Sequence, residues 1–191
     1  MGQAKLRNDA IQKWLAGLND DERTCADAAQ RLLQRFIDPA EATGMCYRLT
    51  FFLHLYLADK GLPTKPVIGY LNDGTDDIMV SHAWLELGRK KTDLTLGKTE
   101  RPDLNLMGDV LILDFPIRRA HGYTYHLERT PEAIAVEERW LREPDAAGLV
   151  RHKAAEHERM LRLSADPAAM RAFLDAAPDG LTYARLTSII D

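Results

Sequence analysis

The stretch TGMCYRLTFFLHLYLADKG, Thr43 to Gly61, decides how the chain is read. From Tyr47 to Ala58 it is apolar almost all round, which predicts a central, buried helix ended by Gly61 and Pro63. Cys46, one of two cysteines in the chain, lies where that helix begins. A buried cysteine is usually an inert small hydrophobe. At a helix start, however, unpaired amides and the helix dipole favour an anion. With Thr43 as N-cap, Gly44, Met45 and Cys46 fill the first three helical positions, and Cys46 takes the place of a capping-box carboxylate. A thiol there is favoured as the nucleophilic thiolate, and the same amides suit a developing oxyanion.

Upstream, residues 5–37 read as two helices, KLRNDAIQKWLAGL and DDERTCADAAQRLLQRFI, separated by an Asn-Asp start signal. Downstream the apolar period changes. PVIGYL, IMVSHAWLEL and KTDLTL read as three strands, and DVLILDF and YTYHL as two more. From Pro131 the pattern is helical again, through PEAIAVEERWL, AAGLVRHKAAEHERMLRL, DPAAMRAFLDAA and YARLTSII. This order predicts an α+β fold: a buried Cys-bearing helix on an antiparallel sheet, flanked by N- and C-terminal helices. The 191 residues suit one domain, with N-terminal helices over 1–38, a core over 39–128 and a C-terminal helical segment over 129–191.

Composition narrows the partners. Hydrophobic residues make up 46% and charged residues 28%, a globular balance. A formal net charge of −4 argues against binding nucleic acid or an anionic membrane surface. The amphipathic start lacks a signal-peptide apolar run, and no stretch suits a membrane span, so a cytoplasmic protein is expected. Two cysteines are too few for a disulfide framework or a cysteine zinc site.

A nucleophile needs a base. SHAWLELGRKKTDLTL holds His82 and, eleven residues on, Asp93. A hairpin turn between Leu87 and Lys90 with an even number of loop residues puts both on one face. A Leu87–Gly88 loop sets them directly opposite; the next pair along makes them diagonal neighbours, still within reach. A three-residue loop breaks the pairing. Cys46, His82 and Asp93 would then be nucleophile, base and orienting carboxylate.

These residues carry a resemblance. GMCYRLTFFLHLYLADKGLPTKPVIGYL followed by SHAWLELGRKKTDLTL resembles the transglutaminase-like superfamily, over residues 40–97, about a third of the chain. The shared elements are Gly44 and Cys46 at the helix start, Gly61 to Tyr70, His82 to Glu86, and Asp93 on the next strand. The resemblance implies a papain-like cysteine fold and a hydrolase or acyltransferase that acts on an amide through an acyl-thioester at Cys46. It implies a peptide or protein substrate and no metal or organic cofactor. The alternative is a catalytically inactive protein-interaction domain that keeps the fold. Two departures stand out: the His-to-Asp spacing is short, and Ala40 stands where papain-like enzymes have an oxyanion-binding Gln.

Trp84, Tyr47, Arg48 and Tyr70 are the substrate-cleft candidates, with ion pairing as the other reading of Arg48 and core packing that of Trp84. Glu86 is expected to pair with Arg48 or Arg89. NDGTDD, Asn72 to Asp77, is a hairpin turn, since it lacks the ligand order and terminal Glu of a calcium loop. His54 reads as a core histidine, His121 and His126 fall on opposite faces, and His152 and His157 read as surface residues. Cys25, with no base nearby in sequence, is the internal control for Cys46.

Overall fold

A computed structural model describes residues 3–99 and 106–191. Helix α1 spans Gln3–Ala16 and α2 spans Asp20–Leu32. The Asn-Asp start signal is a capping box. Asn19 Oδ1 accepts from the Glu22 amide at 2.9 Å, and Glu22 Oε2 accepts from the Asn19 amide at 3.2 Å. The second helix was expected to run on to Ile37. Instead its last turn, Leu33–Ile37, widens to π-helical geometry, with Asp38 N–H donating to Leu33 O at 2.9 Å.

Helix α3 spans Cys46–Ala58. Its apolar circumference is matched by neighbours on every side, which is why it can be apolar all round. The sheet covers one side; α2 and the last two helices of the chain cover the others. Phe51, Phe52 and Leu57 are fully buried within it.

The strands are β1 (Thr64–Asn72), β2 (Val80–Leu87), β3 (Lys90–Thr92), β4 (Val110–Ile112), β5 (Phe115–Arg118) and β6 (Thr124–His126). Four form an antiparallel sheet in the order β3-β2-β1-β6. The β4–β5 hairpin joins its edge through a bridge between Asp93 and Leu111, and the sheet curls. Two expected strands differ from this. KTDLTL leaves the ladder after Thr92, because Asp93 Oδ1 accepts from its own chain at Thr95 N (3.1 Å), a turn that bends the backbone. DVLILDF is two strands rather than one. Leu113 and Asp114 both take positive φ (52° and 62°), as a two-residue hairpin turn requires, although neither residue type announces it.

Helices α4 (Pro131–Trp140), α5 (Pro144–Leu163), α6 (Pro167–Asp175) and α7 (Tyr183–Ile190) complete the fold. Proline opens the first three, where its missing N–H costs nothing. Helices α6 and α7 return to α3: the Phe173 ring lies edge-on to Phe51 with centroids 5.9 Å apart, and Tyr183 lies 5.5 Å from Phe52. Tyr183 Oη donates to Asp59 at 2.5 Å and Tyr56 Oη to Asp191 at 2.6 Å, anchoring the C-terminus on the core. Among the described residues no helix is long and apolar enough to cross a membrane.

Candidate active site

The Cys46 helix starts later than the N-cap at Thr43 would place it. Met45 is the N-cap, with no side-chain capping bond, and Cys46 is the first helical residue rather than the third. The cause lies one residue earlier. Gly44 has φ +65°, a left-handed conformation that no helix can contain and that glycine adopts without strain. The first helical hydrogen bond runs from Leu49 N–H to Met45 O (2.9 Å), so the helix itself offers no acceptor to the amides of Cys46, Tyr47 and Arg48. Cys46 is partly exposed at this end.

His82 lies on β2 and Asp93 just beyond β3. The hairpin loop is Gly88–Arg89, with Leu87 opposite Lys90 and Leu85 opposite Thr92. Continued by one step, that register sets Asp93 against Trp84 and diagonal to His82. The carboxylate reaches back across the diagonal, and Asp93 Oδ2 accepts from His82 Nε2 at 2.8 Å. Both side chains are buried, at 6% and 2% exposure. Thr95 Oγ1 lies 3.5 Å from the same Nε2, and Cys46 is near enough to the ring to shift its titration.

Asp93 is held from several directions. Oδ2 also accepts from Tyr125 Oη (3.0 Å), and Oδ1 accepts from Thr95 N and Thr95 Oγ1, both at 3.1 Å. Burial pushes this carboxyl up, but the His82 charge and these donors bring it below the ordinary carboxylate range. Burial likewise opposes the His82 imidazolium. The Asp93 carboxylate, with Cys46 also nearby, outweighs it and raises His82 from 6.5 to about 10. The ring therefore carries its proton at neutral pH.

A cavity of about 600 Å³ opens onto Cys46, His82 and Thr95. Its floor is the sheet, and its roof is one face each of α4 (Ala133, Val136, Trp140) and α5 (Ala146, Val150, Ala154). Of the four cleft candidates, Tyr47 and Tyr70 line it. Arg48 and Trp84 do not. Arg48 donates to Asp179 at 2.8 Å and ties α3 to the loop before α7. Trp84 is 2% exposed, packs edge-on to Tyr125 (5.1 Å) and donates to Glu86 at 3.0 Å, which also replaces the arginine pairing expected for Glu86. Trp84 thus supports Tyr125, which in turn holds Asp93. Nothing in the residue pattern singles out Tyr125 beyond its place on a strand.

His157, expected at the surface, is buried. It stacks on Tyr70 with ring centroids 4.4 Å apart. Its Nδ1 shares a 2.5 Å hydrogen bond with Ser81 Oγ, which shares another, 2.6 Å, with Tyr47 Oη. Burial holds His157 below its usual value. The residue escaped sequence reading because α5 is polar on most of its circumference, and only the sheet opposite shows which face turns inward. His54 is half-buried and bonded to Thr64 Oγ1 at 2.9 Å. Among the described residues no three acidic, histidine or cysteine side chains cluster as a metal site.

Comparison with protein-family models, curated proteins and solved structures returns no match. The chain's chemistry rests on its own geometry.

Proposed function

We propose that this chain is a transglutaminase-like cysteine hydrolase or acyltransferase with a papain-like core, acting on an amide bond. The observation that supports it most is that Cys46 and His82 line one cavity while the buried Asp93 carboxylate holds the imidazole from behind at 2.8 Å. Cys46 Sγ, as thiolate, adds to the substrate carbonyl carbon, and the oxyanion forms beside the unpaired first-turn amides of α3. Ala40 offers no side-chain donor, so the Cys46 amide leads in this role. The tetrahedral adduct collapses, the carbon–nitrogen bond breaks, and the His82 imidazolium gives its proton to the leaving amine. An acyl-thioester remains on Cys46. His82, now neutral, takes a proton from water or an incoming amine, whose oxygen or nitrogen attacks the thioester and releases the thiolate. Asp93 keeps the ring oriented and its charge balanced throughout.

The test is trapping of the acyl-enzyme. Incubation with an activated ester, followed by mass spectrometry of the digested protein, is expected to find the acyl group on the Cys46 peptide. His82→Ala is expected to reduce it. Acyl label spread over lysines, with none on Cys46, would favour the inactive interaction domain instead.

A further inference from the structure

We infer that the cavity beside Cys46 is an acyl-chain pocket, and that the substrate's acyl portion is an uncharged aliphatic group. This names the substrate class for the acyl-transfer reading above and rests on it for the bond that is cut. A volume of about 600 Å³ lies within the size range of small-molecule sites. Beside the reactive groups its lining carries apolar side chains from three elements: Leu71 and Met79 from the sheet region, Val136 and Trp140 from α4, Leu149 and Val150 from α5.

Two further observations point to an apolar occupant. Large apolar side chains left exposed are normally scattered singly. Here Val80 (44% exposed), Leu106 (45%) and Leu149 (63%), three of the seven such residues among those described, line this one cavity. The cations on its lining are already matched within the protein: Lys98 with Glu41 at 2.8 Å, Lys153 with Glu156 at 2.9 Å, and Arg129 with Glu137. A charged group carried into the pocket would lose its water and, among the described residues, meet only lining cations already paired. The polar side chains Tyr47, Ser81 and His157 are bonded to one another, so a deep carboxamide would compete with bonds already made.

The experiment measures binding to Cys46→Ser by calorimetry, so that no turnover intervenes. The probes are acetamide, octanamide, N-acetylleucinamide and suberamic acid, which is the octanamide chain ended by a carboxylate. Burial of a methylene is worth roughly a fourfold gain in affinity. Octanamide or N-acetylleucinamide is therefore expected to bind at least about 30-fold tighter than acetamide. Which of the two binds better separates a linear chain from an aliphatic side chain on a peptide. Leu149→Glu is expected to weaken the better ligand about tenfold, and Leu127→Glu, at a 67% exposed residue outside the cavity, to leave it unchanged. Affinities within threefold of acetamide, or suberamic acid binding as tightly as octanamide, would overturn the inference. Failure of the acyl-transfer reading is read separately, as absence of acyl label on Cys46 in the wild-type protein.

Discussion

Cys25 and Cys46 are the same side chain in neighbouring helices, placed for opposite fates. Cys25 sits inside α2, fully buried among Ala26, Ala28, Ala29 and Leu32. Burial pushes its thiol up from 9.0 to about 11, against a hydrogen bond with Thr92 that acts the other way. Cys46 opens α3, part-exposed on the wall of a cavity, where the first-turn amides have no acceptor within the helix and His82 lines the same cavity. The contrast teaches that composition of the helix says little about a thiol; its position along the helix and what faces it say most.

The largest effect that tests this contrast is loss of the proposed nucleophile. Cys46→Ser is expected to lower acyl transfer by at least about 10³-fold, while Cys25→Ser changes it less than about twofold and instead costs about 1–2 kcal/mol of stability through a buried hydroxyl. Rates with an activated ester and denaturant melts read the two sides. Comparable rate losses in both variants would erase the contrast.

Asp93→Asn comes next. The amide cannot balance the imidazolium and can favour the wrong tautomer, so the rate is expected to fall about 10²–10⁴-fold. Steady-state kinetics on the folded variant checks it. Tyr125→Phe removes one donor from Asp93 and leaves the ring against Trp84, with an expected cost of about 1 kcal/mol in stability and a rate loss below about tenfold. Melts and kinetics on the same preparation read both.

A separate effect concerns pH. Folded His82 keeps its proton to about pH 10, against 6.5 for the ordinary side chain. Between those values the folded state binds the extra proton, so the stabilisation is complete below about pH 6.5 and is lost as pH rises through about 10. The wild-type denaturation midpoint, taken relative to His82→Ala, is expected to decline across that window. A rise with pH would contradict the protonated state of the pair.

Much of this was legible from residues. Apolar circumference marked α3 as central, the change of period marked the sheet, and the spacing of His82 and Asp93 put them on one face for any hairpin loop with an even number of residues. Chain curvature was harder to read. Gly44 at positive φ shifts the helix start by two residues, and Leu113–Asp114 make a turn with residues that rarely do. Cleft membership was the least accessible, because it depends on what packs opposite. Arg48 turned to Asp179, Trp84 turned inward onto Tyr125, and His157 entered the cavity from a helix with no distinguishing pattern.

The most direct measurement is iodoacetamide alkylation at pH 7, with Cys46 and Cys25 followed by mass spectrometry in the same molecule, for wild type and His82→Ala. Comparison of the two thiols reads exposure; the variant reads the base. The expected result is Cys46 at least about tenfold faster than Cys25, with most of that advantage gone in His82→Ala. A Cys46 rate equal to that of Cys25, or one that His82→Ala leaves untouched, would contradict a working pair of Cys46 and His82.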